Sequence, residues 1–512
     1  MKFRNFMVYA LAILIAGACE PNEPDSIYRN TAPEIKAQSF SVKEDISDTQ
    51  IIGKVTAKDE VDNDKITFSI YTNDNDLFEI SPSGNLSLVQ GKHLDFETVE
   101  SHTINIRAFD GIVGRYADIT IAVEDVEPEP DSPTISLSKE SLELYTMETE
   151  TLTATVTNAE GLEIVWTSDN EEVATVDENG TVTATGSGTA IITAKLGKTT
   201  TTCTVTVNPN VYVAGTIGNA NNIWVAALWK NGVMQELSDG ITNATARCVF
   251  IDGQDVYVVG SVWNANNVAI ATLWKNGVAQ EFSNGIVGAF PQSIYVDGQD
   301  VYVVGSLDYS PNLAVLWKNG VMTELYEGNN ESRARSVSVA GGDVYIGGYI
   351  YDDNNLPVAT LWKNGTKQEL SGLNGSSAIH SVFIDGSDVY GAGLSTNANN
   401  DRVATYWKNG IAQPFDDGNI NTVIFSIYVK NNVIYATGNT ANFLMTVWID
   451  GTPQYLTDGN HLADGISIAV DRDNIYVAGD DLGINQILWV NGAVQNLTDG
   501  TKLAFGNSVF LK

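Results

Sequence analysis

The chain has 512 residues, enough for roughly three domains on the usual prior of about 150 residues each. Its 63 Asp and Glu against 28 Lys and Arg give a net charge of −35, which repels a phosphate backbone and excludes nucleic acid as a partner. Four His and three Cys are too few and too scattered for a zinc or thiolate cluster, so oxygen-ligated calcium is the metal chemistry left. With 45 Gly and 20 Tyr and hardly a long Leu/Ala/Lys/Glu-rich stretch, the composition predicts an all-β protein.

Residues 1–18 read as a signal peptide: a short basic head, then an apolar run too short to span a bilayer comfortably. The run Ile15-Ala16-Gly17-Ala18-Cys19 resembles a bacterial lipobox. That resemblance implies a diacylated Cys19 and a bacterial outer-membrane or cell-surface protein held to the membrane by its lipid alone; without lipidation the chain is secreted. Residues 19–30 follow as a polar tether. Cys203 and Cys248 fall in different predicted domains and read as free thiols.

Residues 31–130 hold strand-like runs separated by Asp, Asn and Gly turns, a β-sandwich pattern, and acidic residues are dense here. In order they read FSVKED, VTAKDEVDND, QGKHLDFE, INIRAFDG and ITIAVEDVEPEP. The set resembles the cadherin repeat. That resemblance implies calcium bound at the two ends of the sandwich, with Glu44, Asp95, Glu97 and Asp125 at one and Asp59, Asp62 and Asp110 at the other. Cadherin calcium sits between successive repeats, whereas this chain has one repeat, and Glu127-Pro128 stands where the family has Asn-Asp.

Residues 134–207 contain VWTSDNEEVATVDENGTVTATGSGTAIITAKLG and resemble the bacterial group-2 immunoglobulin-like domain. Trp166 is its expected core anchor and Glu178-Asn179-Gly180 its hairpin turn. The resemblance implies a spacer or adhesive module.

Residues 208–512 repeat every 41–45 residues. Seven tryptophans (Trp229, Trp274, Trp317, Trp362, Trp407, Trp448 and Trp489) each precede an Asn-Gly or Asp-Gly turn, and a VYxxG or IYxxG strand accompanies each. Asn-Gly supplies the positive φ that a type I′ hairpin needs. Four short strands per unit predict a seven-bladed β-propeller whose last strand, near Ser508, completes the first blade. The Trp and Tyr residues are expected as core between blades. The pattern resembles bacterial surface propellers with a W-x-N-G repeat, which implies a fold and no activity.

On the face opposite the tight turns, Asn-rich segments at 218–222, 264–267, 352–355 and 397–401 are the expected variable surface. The residue just before each innermost strand is expected at the mouth of a central channel: Arg247, Gln292, Arg335, His380, Phe425, Ile466 and Asn507. Polar donors beside two apolar residues suit a glycan or a peptide, with Arg247, Gln292, Arg335, His380 and Asn507 as ligand-binding candidates. His380 lacks an evident Ser/Asp partnership, and the Asp352-Asp353, Asp416-Asp417 and Asp480-Asp481 pairs are adjacent in turns, so the sequence offers no catalytic constellation. The whole reads as two β-sandwiches followed by a propeller. Its expected role is a monomeric adhesion or capture lipoprotein, calcium-binding, with a surface glycan or an envelope or host protein as partner. The alternative is a polysaccharide lyase or glycosidase with accessory N-terminal domains.

Overall fold

The computed structural model describes residues 30–512 apart from 62–63, 74, 127–132, 160, 416–420, 442–443, 459–462 and 482–484. The signal peptide, Cys19, most of the tether and Asp62 lie outside the described residues. Among the described residues every regular element is a strand. Among the described residues no helix is long and apolar enough to cross a membrane. The chain divides into two compact units, residues 1–132 and 133–512.

The first unit is a sandwich of two sheets. Gln38–Lys43 runs parallel to Gly114–Glu124, which pairs with Ser101–Phe109 and then Thr67–Thr72; Ile51–Lys54, Asn85–Leu88 and Phe78–Ile80 form the second sheet. Along Ser101–Phe109 every second residue turns inward, so His102, Ile104, Ile106 and Ala108 are buried. Phe78, Leu86, Leu88, Ile119 and Ile121 complete the core from both sheets. Phe78–Ile80 and Asn85–Leu88 are short strands of three and four residues in a polar stretch.

The second unit opens with another sandwich, in which Ile164–Ser168, Gly188–Leu196, Thr199–Asn208 and Ser141–Tyr145 form the larger sheet. Trp166 packs on its core as expected, and the turn at Gly180 has φ +79°. A Cβ there would lie 2.6 Å from the Leu152 carbonyl and 2.7 Å from the Trp166 ring, so both conformation and space demand glycine. Cys203 and Cys248 are free.

Seven four-stranded antiparallel sheets follow. A full sheet runs Ala244–Asp252, Asp255–Trp263, Ala269–Lys275 and Val278–Glu281 in chain order. The first sheet takes its inner strand from the C-terminus: Ala504–Leu511 pairs with Val211–Gly218. Each tryptophan of the repeat is at most 1% exposed. Trp274 packs with Tyr212 and Leu228 of the preceding sheet, and Trp362 with Tyr302 and Leu325. Trp229 of the first sheet packs with Tyr476, Leu488 and Leu497 of the seventh and donates its Nε1–H to the Leu497 carbonyl at 2.9 Å. The order of packing is therefore cyclic.

The tight turns interlock on one face. In Asn276-Gly277 both residues have positive φ; Asn276 Oδ1 accepts the Val256 amide at 2.8 Å and its Nδ2 donates to Asp255, which also pairs with Lys275 at 2.7 Å. The Lys275 and Asn276 contacts hold the Asp255 carboxyl below the usual carboxylate range. This cluster recurs at Asp300, Asp343 and Asp388. In the first sheet Asn210 takes the Asp position: its Oδ1 accepts from Asn231 and its Nδ2 donates to the Thr146 carbonyl of the second sandwich at 2.7 Å. Thr146 Oγ1 in turn donates to the Lys512 carbonyl, and Asn210 and Lys512 exchange backbone hydrogen bonds of 2.6 and 2.9 Å. The second sandwich is thus fastened to the turn face, leaving the loop face of the array uncovered by it.

Candidate functional site

The first candidate site sits where two parallel strands end together. Lys43 pairs with Glu124, so the next residues, Glu44 and Asp125, emerge side by side. The turn at 95–99 brings Glu97 to them, and Glu44, Glu97 and Asp125 each offer an oxygen within 4.8 Å of the others. Glu44 is 5% exposed; its Oε2 accepts the Phe96 amide at 2.8 Å and its Oε1 the Val126 amide at 2.9 Å. Two amides donated to one carboxylate hold it in place. Asp95, the fourth expected member, is not in this group: its Oδ1 accepts the Thr98 amide at 3.0 Å and its Oδ2 the Thr98 hydroxyl at 2.7 Å, closing the turn that carries Glu97. The donors are all carboxylate oxygen, one buried and two exposed, which fits a hard cation such as calcium. These three residues would hold it, and its charge would offset their mutual repulsion.

At the other end, Asp110 is buried, and its Oδ1 accepts the Ile112 and Val113 amides at 2.7 and 2.6 Å while its Oδ2 accepts from Asn30 at 2.8 Å. Burial pulls its pKa up, but these hydrogen bonds together hold it below the usual range. Asp59 meets the Thr31 hydroxyl at 3.5 Å. The described residues bring no cluster of three metal-ligating side chains together at this end.

The second candidate site is a cavity of about 370 Å³ lined by two adjacent residues from each of the seven first strands. One of each pair is the channel residue expected from sequence. These residues stand inside the strands and not before them: each is the extra residue of a β-bulge, for example Arg247 between Ala246 and Cys248, and Arg335 between Ala334 and Ser336. A bulge breaks the two-residue alternation and re-aims a side chain, which made each strand look shorter in the sequence. It also explains the glycine of VYxxG. A Cβ on Gly260 or Gly348 would lie 1.8 or 2.0 Å from the carbonyl of Thr245 or Arg333, which the bulge pushes against the second strand.

The other residue of each pair is serine in six sheets, and its hydroxyl ties neighbours together. Ser293, Ser336, Ser381, Ser426, Ser467 and Ser508 each accept a backbone amide of the next sheet at 3.0 to 3.3 Å. Cys248 takes the seventh place, and burial pushes its thiol pKa up. Two residues further along, five of the seven strands carry an aromatic residue toward the turn face; the ring centres of Phe250 lie 4.8 and 5.0 Å from those of Tyr295 and Phe510, and that of Phe383 lies 4.8 Å from that of Tyr428. Sequence reasoning missed this ring, although a Ser after the channel residue in six of seven repeats signals it.

Within the cavity, Arg335 Nη2 donates to the Tyr349 hydroxyl at 3.3 Å, with the guanidinium 5.7 Å from that ring. Arg247 Nη1 donates to Asn507 Oδ1 at 3.3 Å, and Asn507 Nδ2 donates to the Ala246 carbonyl at 2.7 Å. His380 stacks on Phe425 with ring centres 5.7 Å apart, and its Nδ1 is 2.9 Å from the Ile424 carbonyl. Burial first and the Arg335 charge second push His380 down to about 4. The unfolded chain therefore takes up a proton below about pH 6.5 that the folded protein resists until about pH 4, and stability falls with pH across that window. Replacing His380 with Gln is expected to remove on the order of 2 kcal/mol of that loss at pH 4.5, read as the difference between denaturant melts of parent and variant at pH 7 and 4.5. Equal pH dependence in the two proteins would contradict this account.

The Asn-rich loops are less varied than their sequences imply. Asn219, Asn264, Asp352 and Asn397 each accept backbone amides two and four residues on, four copies of one self-capped turn. Variation lies instead in aromatic pairs near the loop face, Trp224 with Phe505, Trp263 with Phe290 and Tyr349 with Tyr351.

Comparison with known proteins locates two domain types. Residues 38–124 match the cadherin domain model, and residues 162–209 match a bacterial Ig-like domain model. Among solved structures, the chain is similar to human protocadherin-24 EC1-2, at 17% identity over 35% of this chain and 100% of that chain, with a TM-score of 0.20. It is similar also to Drosophila N-cadherin EC1-4, at 19% identity over 35% of this chain and 50% of that one, with a TM-score of 0.21. The chain therefore carries a cadherin-type and a bacterial immunoglobulin-type domain in an all-strand fold, a combination that points to an extracellular or surface protein of adhesion type.

Proposed function

We propose that this protein is a surface lipoprotein that captures a glycan or a protein ligand without transforming it. In this reading Cys19 carries the lipid, the cadherin-type domain binds calcium, and the seven sheets form a seven-bladed propeller that serves as the binding head. Cyclic packing of the sheets and the C-terminal strand in the first of them support the propeller.

One observation carries the capture reading. Of the two residues each first strand sends into the cavity, one is serine in six of the seven strands and holds neighbouring sheets together. The other is Arg, Gln, Arg, His, Phe, Ile and Asn around the cycle. A position free to differ in every copy of a repeat is available for a ligand, and repetition preserves only what the fold needs. The test is a glycan-array screen of residues 20–512 in calcium, followed by product analysis of every glycan retained. Retention with the saccharide recovered intact is the expected result. Shortened or unsaturated products would replace this reading with a lyase or glycosidase, and a folded protein that retained no glycan would move the search to a protein ligand.

A further inference from the structure

We infer that the central cavity binds a small oxyanion, and that the ligand captured there is a saccharide ending in a carboxylate or sulfate group held by Arg335 and Arg247. The inference rests on the capture reading for the place of binding and adds the chemical class of the ligand. Among the described residues, the cavity lining contains two arginines and no carboxylate, in a chain whose net charge is −35. Positive lining against so acidic a background does not follow from composition.

Neither arginine is spent on an ion pair: among the described residues, carboxylates near basic groups pair elsewhere, such as Glu331 with Arg333 at 2.7 Å. Arg335 lines the cavity, and its Nε is buried with no hydrogen-bond partner while Nη2 donates to Tyr349. An unpaired buried donor is costly, and a guanidinium presents paired N–H groups that match the spacing of two oxyanion oxygens. Arg335 lies close enough to Arg247 for the two charges to act on each other. An anion in the cavity relieves both effects.

The rest of the lining suits a sugar ring better than a bare ion. Gln292 and Asn507 supply neutral polar groups, and the stacked His380–Phe425 pair supplies a flat apolar face. The volume of about 370 Å³ lies at the small end of the range for small-molecule sites. The acidic exterior disfavours a long polyanion, so a single terminal acidic residue is the favoured form.

The test uses residues 20–512 and titration calorimetry with glucuronate, glucose, sodium sulfate and a sulfated monosaccharide, on the parent, Arg335→Gln, Arg335→Lys and Arg247→Gln. Glucuronate or the sulfated sugar is expected to bind at least about tenfold tighter than glucose, to weaken about tenfold in Arg335→Gln, and to recover in part in Arg335→Lys. Tighter binding of free sulfate than of either acidic sugar would keep the oxyanion site and remove the saccharide. Equal binding of glucose and glucuronate, unchanged in Arg335→Gln, would overturn the inference while leaving glycan capture intact. No binding of any of the four probes by folded parent protein would overturn it whatever the array screen returned. Should the variants fail to fold, salt dependence decides on the parent alone: glucuronate affinity is expected to fall steeply between about 50 and about 500 mM salt, and a flat response counts against the site.

Discussion

Deleting residues 504–512 is expected to unfold the repeat array as a whole, not merely shorten it by one strand. Ala504–Leu511 is the inner strand of the first sheet, and its removal exposes the full hydrogen-bonding edge of Val211–Gly218. Val509 leaves the core shared with the seventh sheet, Phe510 leaves the aromatic layer, and the Val249 amide loses its acceptor on Ser508. The carbonyl of Lys512 also accepts from Asn210 and from Thr146 Oγ1, so the seat of the second sandwich goes with it. The buried side chains of Ala504 and Val509, the partly buried Phe510 and Leu511 and a strand of backbone hydrogen bonds exceed about 5 kcal/mol together, comparable with the whole stability of an ordinary domain. Thermal melts and limited proteolysis read the result: the truncated protein should lose the array's cooperative transition while the cadherin-type domain still melts as a unit. A transition within a few degrees of the parent's would mean that the cyclic closure contributes little.

The fold was largely legible because repetition multiplies weak signals. One Trp-x-Asn-Gly or Trp-x-Asp-Gly turn is a hairpin hint; seven at near-equal spacing give a sheet count, and the unpaired final strand gives the cyclic pairing. The residues that line the cavity are legible in the sequence, and their place inside the strands is not. Arg247 and its six equivalents were found because they differ where their neighbours agree. They were placed outside the strands because a bulge interrupts the alternation by which strands are recognised. The Asn-rich loops were misjudged in the opposite direction, since an Asn that caps its own turn and one that faces a ligand look the same in sequence. The bonds of Asp95 to Thr98 are likewise visible only in the coordinates.

Calcium is expected to raise the melting temperature of the cadherin-type domain by about 10–20 °C at about 10 mM, and Asp125→Asn is expected to abolish most of that rise. With an extracellular-type Kd of about 0.1 mM, that concentration is about a hundred times Kd and contributes about 2.7 kcal/mol. A domain of about 100 residues gains about 4–8 °C per kcal/mol. The variants separate liganding from folding because the three carboxylates differ in burial. Asp125 and Glu97 are exposed, so Asp125→Asn or Glu97→Gln should leave calcium-free stability within about 0.5 kcal/mol of the parent. Any change there should be a gain, because one charge fewer relieves repulsion within 4.8 Å. Glu44→Gln behaves differently. A carboxamide has one acceptor where Glu44 serves two amides, Phe96 and Val126, so this variant should lose about 1–3 kcal/mol without calcium as well as the response to it. Melts of the four proteins in calcium and in chelator decide the matter. A parent that melts at the same temperature in both, while Asp125→Asn melts higher in chelator, would show the cluster to be a repulsive acidic surface and not a metal site.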